Sequence, residues 1–198
     1  MTNWEKAASE LMQEAAANAE FSSQTISVGF KRLTDGATIP TKAHPTDSGF
    51  DLYASEDIII EPGETVIVPT GIAVELPKGH EAQVRSRSGV TAKTKLRVQL
   101  GTIDQDYRGE IGVIVDNNSI SIFDRNGNKS RVFGYIEVDG LRRTDTSVNY
   151  PENTYLIRKG DRIAQLVVQA LPEVTAVEIE EFTEDSDRGE DGFGSSGV

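Results

Sequence analysis

One carboxylate and one aromatic ring lie close together in a glycine-rich stretch of the chain, residues 101–112. Tyr107 follows Asp104 after three residues, and glycines stand at positions 101, 109 and 112. Glycine permits tight turns and lets a ligand approach the backbone closely. Apolar residues enter and leave the stretch, a pattern that predicts a β-hairpin. A ring beside a carboxylate in such a hairpin suits a pocket for a sugar and a base.

A second group, Arg87, Ser88 and Gly89, offers the donors that bind phosphate oxygens. The guanidinium presents a fork of N–H groups, the serine adds a hydroxyl, and the glycine leaves its backbone N–H unobstructed. Residues 90–93 predict the start of a short helix, whose free N–H groups would suit an anion. The alternative is that Arg87 pairs with a surface acid and that Ser88 only caps the helix.

Asp104 is the candidate general base. Hydrolysis at phosphorus needs an oriented water that gives up its proton, and a positioned carboxylate can accept that proton. The alternative is an aspartate that caps the turn, which is common in hairpins. Tyr107 has a similar alternative as a core tyrosine with a satisfied hydroxyl, and it can serve both purposes.

The stretch GTIDQDYRGEIGV closely resembles the third of the five signature motifs of trimeric dUTPases, the enzymes that hydrolyse dUTP to dUMP and pyrophosphate. The other four motifs stand in the family's order: DSGFDLYA at 47–54, RSRSGV at 85–90, GDRIAQL at 160–166 and RGEDGFGSSG at 188–197. The resemblance covers about residues 26–118 and 154–198. Each motif is short, but five in order form a very specific signal.

The resemblance implies an all-β fold, a distorted jelly-roll barrel that assembles as a homotrimer with active sites shared between subunits. Asp104 and Tyr107 would belong to one chain, Arg87 and Ser88 to a second, and Phe193 to a third. It further implies Mg²⁺ as cofactor and attack of an Asp104-activated water on the α-phosphorus of dUTP. The product dUMP would then supply the precursor of dTMP.

The family's site residues carry over position by position. The residues implied to contact deoxyuridine are Gly101, Ile103, Asp104, Tyr107, Ile111, Gly112 and Phe193, with the backbone reading uracil. The residues implied to contact the phosphates are Arg87, Ser88, Gly89, Gln165, Arg188, Ser195 and Ser196. Asp51 is implied to contact the metal through water; its alternative is an inward strand carboxylate with hydrogen-bond partners.

The nearest alternative reaction is that of the dCTP deaminase branch, which resembles this fold. Its deaminating members use a glutamate to activate water at the base and release ammonia. Asp104 and the motif at 188–197 favour phosphate hydrolysis instead.

A strand-rich core must position these residues. From residue 26 onward, apolar residues recur at period two and Pro-Gly turns separate them, which indicates an all-β sandwich or jelly roll. Residues 2–19 predict a helix with a thin alanine stripe, either a peripheral extension or an oligomer contact. A further strand is predicted at 174–182. The predicted parts are a helical extension at 1–24, a core at 25–118 and 154–185, an inserted module at 119–153 and a tail at 186–198.

The inserted module and the tail are expected to have separate roles. Residues 119–153 are long for an ordinary loop, and Asn126-Gly127 predicts a hairpin turn within them. Some phage-encoded dUTPases carry an extra module at this place, so the insert is expected either to pack on its own trimer or to dock a protein partner such as a transcriptional repressor. The tail, rich in glycine, serine and charge, is expected to close over the substrate.

Composition argues against several other classes of protein. The net charge of −12 over 198 residues argues against general binding to nucleic acid or anionic membranes. The absence of cysteine excludes disulfides and thiolate zinc sites, and two histidines are too few for a His-rich metal site. No apolar run approaches the ~20 residues of a membrane span, and no signal peptide is visible at the start. We therefore expect a cytoplasmic protein, in the host cytoplasm if a phage encodes it.

Overall fold

Short strands arranged in several small sheets make up most of the computed structural model, which describes residues 26–182. The strands are β1 (Gly29–Arg32), β2 (Phe50–Tyr53), β3 (Ile58–Ile60), β4 (Thr65–Pro69), β5 (Ile72–Glu75), β6 (His80–Ser86), β7 (Leu96–Val98), β8 (Gly101–Ile103), β9 (Gly112–Asn117), β10 (Arg131–Val132), β11 (Gly134–Ile136), β12 (Arg142–Thr144), β13 (Tyr150–Pro151), β14 (Tyr155–Ile157) and β15 (Arg162–Ala170). Among the described residues one α-helix, α1 (Ser88–Lys93), lies between β6 and β7. The all-β prediction is confirmed, whereas the predicted helix at 2–19 and the tail lie outside the described residues.

Strand β15 joins the elements that carry the chemistry. It is the longest strand, and it pairs antiparallel with β2 on one side and with β6 on the other. Strand β8 then adds to the far side of β6, so that four distant segments form the sheet β2-β15-β6-β8. The other sheets are β12-β11-β14-β3, β4-β9-β7 and the two-stranded pairs β1-β5 and β10-β13.

The core lies between these sheets and is built by strands that bury every second side chain. On β9, Val113 and Val115 are buried whereas Ile114 between them is exposed. They belong to one buried cluster with Leu52 from β2 and Leu166 from β15. Burying one such aliphatic side chain contributes about 1.5–3 kcal/mol, so this cluster sets the packing of the sheets.

The prediction of a β-hairpin at 101–112 is wrong, because the two strands that flank the turn belong to different sheets. Strand β8 pairs with β6, with Ile103 opposite Ala82, whereas β9 pairs with β4 and β7. The crossing occurs at Ile111, whose N–H donates to the Ile72 carbonyl at 2.8 Å. The Thr70 hydroxyl donates to the Ile111 carbonyl at 2.7 Å. The chain therefore passes from one sheet to another through the stretch that carries Asp104.

The strand predicted at 174–182 is also absent from the described residues. This segment forms no strand pairing, and its apolar side chains are open to solvent, with Val174 82% and Phe182 89% exposed. A strand needs a neighbour to satisfy its backbone groups, and the alternating pattern of the sequence does not say whether one is available.

Residues 119–153, the predicted insert, contain the predicted turn at Asn126-Gly127. Gly127 has φ +80°, and the Asp124 N–H donates to the Asn128 carbonyl at 2.8 Å. Beyond this turn, β10 pairs with β13, and β11 and β12 form a second, antiparallel hairpin. Strand β11 also pairs in parallel with β14 through Ile136 and Tyr155, which attaches the insert to a core sheet.

Asn117, at the end of β9, holds both ends of the insert. It is 1% exposed, and its amide donates to the carbonyls of Ile60 and Asn153, each at 3.0 Å. Its side-chain oxygen accepts the N–H of Ser119 at 3.0 Å. One buried side chain thus ties residues 119 and 153 to strand β3.

Replacing Asn117 should therefore destabilise the fold. In Asn117→Ala, two carbonyls and one N–H lose their partner, and we expect a loss of about 2–4 kcal/mol in the free energy of unfolding, measured in urea. The matched control is Asn118→Ala, because the neighbouring side chain is exposed. Its effect should stay within about 0.5 kcal/mol. Equal stabilities for the two variants would contradict the assigned role of Asn117.

Candidate active site

A cavity of about 340 Å³ lies where β2, β15 and the start of α1 meet. Sheet register brings its side chains together, because Asp51 on β2 is opposite Gln165 on β15. Its lining residues are Ala43, Asp47, Ser48, Gly49, Asp51, Arg87, Ser88, Gly89 and Gln165. All of the phosphate-binding residues predicted within the described chain line this one cavity.

Asp51 lies between two arginines beside this cavity. Its carboxylate is 13% exposed; one oxygen is 2.8 Å from Arg87 Nε and the other 3.2 Å from Arg162 Nη1. Arg87 Nη1 also donates to the Arg162 carbonyl at 3.1 Å. The alternative interpretations of Arg87, as the partner of an acid, and of Asp51, as a paired strand carboxylate, therefore describe contacts that are present. These contacts also fix the direction of the Arg87 guanidinium, because they occupy only part of its five-donor fork.

The first residues of α1 present open donors. Ser88 and Gly89 are exposed, and a Cβ added to Gly89 would meet no atom of the described chain within 4 Å. Gln165 lies beside them, where its amide donates to the Ser86 carbonyl at 3.1 Å. A Cβ at Gly49 would lie 3.0 Å from the Gln165 side-chain oxygen, so this glycine leaves room for the glutamine.

A second cavity, of about 220 Å³, lies beside the segment that crosses between the sheets. It is lined by Val84, Gly101, Thr102, Ile103, Asp104, Tyr107, Glu110, Ile111, Gly112 and Ile114. All of the deoxyuridine-contacting residues predicted within the described chain lie here. The Asp104 carboxylate is on an exposed residue, while the Asp104 carbonyl accepts the Tyr107 N–H at 3.0 Å and closes the turn. The turn therefore closes through the backbone of Asp104, and its carboxylate faces solvent at the cavity.

Tyr107 owes its position to Gly109. The Tyr107 hydroxyl donates to the Glu110 carbonyl at 2.9 Å, which folds the ring back over the turn. A Cβ added to Gly109 would lie 2.4 Å from the Tyr107 hydroxyl oxygen and 2.6 Å from the adjacent ring carbon. Only glycine gives the ring this place, so Gly109 is needed for a close approach rather than for an unusual backbone angle.

Ile111 has limited capacity to read a base through its backbone. Its N–H already donates to Ile72, and its carbonyl already accepts the Thr70 hydroxyl. A carbonyl has two lone pairs, so one acceptor position on Ile111 is left for a ligand. Its side chain is buried in the core, as is that of Ile103.

The two cavities share no lining residue. The structure thus groups the predicted residues into a carboxylate-and-ring half and an arginine half, and it does not join them in one cavity of a single chain. The predicted residues Arg188, Phe193, Ser195 and Ser196 lie outside the described residues.

Sequence reasoning missed Arg162 and Val84. Arg162 stands three residues before Gln165 in the same motif, a spacing that would place the two on opposite faces of a regular strand. A register shift between Arg162 and Ala164 brings both to the face of Asp51, and the sequence gives no signal for that shift. Val84 lines the smaller cavity because it is opposite Gly101 in the β6–β8 register. Its place depends on strand pairing, which the sequence did not reveal.

Residues 26–182 contain no group of three or more His, Asp and Glu side chains arranged to hold a metal ion. Two carboxylates, those of Asp47 and Asp51, line the larger cavity, and Asp51 is the one placed between both arginines. This donor set suits Mg²⁺ that keeps its waters and binds through phosphates, and it does not suit a cage made of protein ligands. Within residues 26–182, no helix has the length and apolar composition that crossing a membrane requires.

Comparisons with known proteins point to one family. The dUTPase family model matches residues 35–129 and 146–197. A deoxyuridine 5'-triphosphate nucleotidohydrolase of Nocardia farcinica is 40% identical over 172 residues, which are 86% of this chain and 85% of the relative.

Solved structures of phage enzymes share the fold. A Staphylococcus bacteriophage 80alpha dUTPase with dUPNHPP has a TM-score of 0.80 and 35% identity, covering 88% of this chain and 100% of the other; it was described in work on phage dUTPases that control transfer of virulence genes by a proto-oncogenic G protein-like mechanism. A mutant dUTPase from phage phi11 of S. aureus has a TM-score of 0.74 and 30% identity, covering 80% of this chain and 100% of the other; its structure revealed the coordination of a structural Mg(II) ion.

Proposed function

The chain belongs to the dUTPase family, and on this premise we propose how its residues perform the family's reaction. That reaction is the hydrolysis of dUTP to dUMP and pyrophosphate. The observation that carries the mechanism is that the exposed residue Asp104 lines a cavity of about 220 Å³ together with Tyr107.

The uracil and deoxyribose occupy the smaller cavity. Tyr107 lies under the sugar, where its ring leaves no room for a ribose 2′-hydroxyl. The backbone of Gly101 and Gly112 and the remaining acceptor on Ile111 read the edge of the base. Sites built to hydrogen-bond a substrate discriminate strongly against analogues that leave their polar groups unpaired.

Asp104 accepts a proton from a water that attacks the α-phosphorus. The water oxygen forms a bond to phosphorus, the bond from the α-phosphorus to the bridging oxygen breaks, and that oxygen leaves with pyrophosphate. Arg87, Ser88, Gly89 and Gln165 hold the phosphates in line for this displacement. Positioning and charge stabilisation supply most of the rate in phosphoryl transfer, which agrees with the single basic group assigned here.

We assign Mg²⁺ as the cofactor. Asp51 would hold it through water beside the phosphate cavity, and the ion would neutralise phosphate charge when bound. The phage phi11 relative, with its structural Mg(II) ion, supports a magnesium-binding enzyme in general terms. In a chain with net charge −12, the metal and the paired arginines supply the local positive charge that dUTP needs.

We further propose a homotrimer whose active sites combine the two cavities from different chains. Two observations support it: the residues of the two halves line separate cavities, and the unpaired segment before residue 183 exposes Val174 and Phe182. Several exposed apolar side chains in one segment favour contact with another subunit. Arg188, Phe193, Ser195 and Ser196 would then close over the substrate, a role that stays a prediction. Because the substrate is an intracellular nucleotide, we place the enzyme in the cytoplasm, of the host cell if a phage encodes it.

A second function, binding of a regulatory protein through the insert at 119–153, has its own support. Ile120 is 82% exposed, and Phe123, Phe133 and Leu141 of the insert are also exposed. Aromatic and aliphatic side chains on one small module favour a protein contact. The phage 80alpha dUTPase was described among phage dUTPases that control transfer of virulence genes, which supports a regulatory role in general terms. A transcriptional repressor as the partner stays a prediction.

Asp104→Asn tests the mechanism. The amide cannot accept the proton, so we expect the rate of pyrophosphate release from dUTP to fall by a factor of ~10² or more while the Kd for an imido analogue of dUTP stays unchanged. Asp106→Asn is the matched control, since Asp106 is an exposed neighbour that lines neither cavity. Full turnover in Asp104→Asn would remove this residue from the role of base.

Mixing two inactive variants tests the sharing of sites. Asp104→Asn and Arg87→Ala chains, unfolded and refolded together at equal amounts, should regain activity, because about one site in four would combine an intact Asp104 with an intact Arg87 from another chain. Each variant refolded alone serves as the control. A mixture no more active than its parents would mean that one chain supplies both groups.

Changing the exposed rings of the insert tests the regulatory role. Phe123→Ser with Phe133→Ser should abolish binding of a purified repressor candidate while dUTP hydrolysis stays within about twofold, because neither ring lines an active-site cavity. The control is Leu33→Ser, which changes an exposed apolar residue outside the insert and should leave binding of the repressor candidate intact. If the double variant instead alters only the mass or stability of the trimer, the insert packs on its own assembly.

A further inference from the structure

We propose that the insert positions the phosphate half of the active site, with Gly140 and Glu137 as positioning residues for α1 and for Arg162. The proposal rests on the function assigned above and concerns residues that touch no substrate. It gives the insert a part in the reaction of this chain that is separate from any role in docking a protein.

The first contact is between the turn joining β11 to β12 and the end of α1. Gly140 has φ +81°, and a Cβ added there would lie 2.4 Å from the Lys93 carbonyl oxygen and 3.2 Å from the Lys93 Cβ. The Gly140 N–H donates to the Glu137 carbonyl at 2.9 Å, and the Asp139 side chain accepts the Leu141 N–H at 2.8 Å. The turn therefore holds the backbone of Gly140 close to Lys93, the last residue of the helix.

A short helix transmits that contact to the phosphate donors. Helix α1 spans six residues, from Ser88 to Lys93, so it is about 9 Å long. Ser88 and Gly89 at one end and Lys93 at the other belong to one rigid unit. Displacing Lys93 therefore moves the donors that line the phosphate cavity.

The second contact is a charge cluster on Glu137, which is 19% exposed. One oxygen is 2.9 Å from Arg158 Nε and the other 2.8 Å from Arg143 Nε. The Arg158 guanidinium also lies over the Tyr135 ring, at 5.3 Å from its centroid. Glu137 thus fixes an arginine that belongs to the core, at the end of β14.

Residues 158–162 connect Arg158 to the active site. The Arg158 N–H donates to the Asp161 carboxylate at 2.8 Å and closes the turn before β15. Burial raises the pKa of Asp161, and the hydrogen bond from the Arg158 N–H opposes that shift because it stabilises the charged carboxylate. The next residue is Arg162, which binds Asp51 through its guanidinium and Arg87 through its carbonyl.

A cavity of about 390 Å³ shows that the two contacts flank one space. Val138 and Asp139 of the insert line it together with Arg87, Lys93 and Arg162. The dUTPase family model leaves residues 130–145 unmatched, so Glu137 and Gly140 both lie in chain that the family pattern does not require. The phosphate site of this protein is therefore supported from outside by residues added to the family core.

Gly140→Ala is the direct test, with Gly127→Ala as its matched control. Both glycines lie in turns of the insert with φ close to +80°, but a Cβ at Gly127 meets nothing within 4 Å. Both variants carry the same backbone strain, and only the first pushes against Lys93. We expect Gly140→Ala to raise KM for dUTP by about 3- to 30-fold relative to Gly127→Ala, with kcat within about twofold. The Kd for deoxyuridine, which carries no phosphate, should be equal in the two variants.

Glu137→Gln gives an independent measurement that does not depend on backbone strain. It removes the charge facing Arg158 and Arg143, and its control is Glu152→Gln, an insert carboxylate 3.8 Å from Arg142. The same rise in KM, without a change in deoxyuridine binding, is expected for Glu137→Gln alone.

The outcomes separate this proposal from the proposed function. If wild-type protein fails to hydrolyse dUTP, the function itself is wrong. If wild-type protein is active and Gly140→Ala and Glu137→Gln match their controls, only the positioning role is overturned. A variant that weakens deoxyuridine and dUTP binding equally would also overturn it, because a merely structural defect spreads to both cavities. Should Gly140→Ala fail to fold, the KM of Glu137→Gln decides.

Discussion

The proposed phosphate side of this enzyme depends on one carboxylate held between two arginines. Asp51 is bound by Arg87 at 2.8 Å and by Arg162 at 3.2 Å, and it is nearly closed to solvent. Two guanidinium groups that flank a single carboxylate would repel each other if the acid between them were absent. Their pairing keeps the donors aligned before a ligand arrives, which reduces the reorganisation needed on binding. An acidic chain can in this way hold a local site for a polyanion.

The nucleoside side depends on a different constraint, the passage of the chain from one sheet to another. Thr70 and Ile72 form hydrogen bonds with the backbone of Ile111. The segment between β8 and β9 therefore cannot fold back on itself as a hairpin. The resulting turn holds Tyr107 over Gly109 and leaves Asp104 at the cavity's edge. Strands on both sides thus position the turn that carries Asp104, and a carboxylate in the proposed role of base requires that kind of support.

Sequence reasoning identified the groups that could do chemistry better than the contacts that hold them. The five motifs predicted two sets of residues, and those within the described chain line two cavities; their roles stay predictions. The hairpin at 101–112 was wrong because period-two patterns predict strands but not their partners. The strand at 174–182 was wrong for the same reason, since an apolar alternation does not supply a neighbour. The contact of Gly140 with Lys93 joins segments 47 residues apart in number and has no local signal, whereas Asn126-Gly127 encodes its turn locally.

The insert shows how an added module can become part of a working site without touching the substrate. Asn117 ties its two ends to β3, so the module leaves and re-enters the core at one fixed place. From there β11 continues a core sheet through Ile136 and Tyr155, and its turn reaches α1. The same module exposes Ile120 and Phe123 to solvent on residues that line neither active-site cavity. A protein bound to those side chains would act on an element already in contact with the phosphate donors, and nucleotide binding would act on the same element from within. Coupling between two ligands is reciprocal, so such a module would let dUTP affect the partner as strongly as the partner affects dUTP.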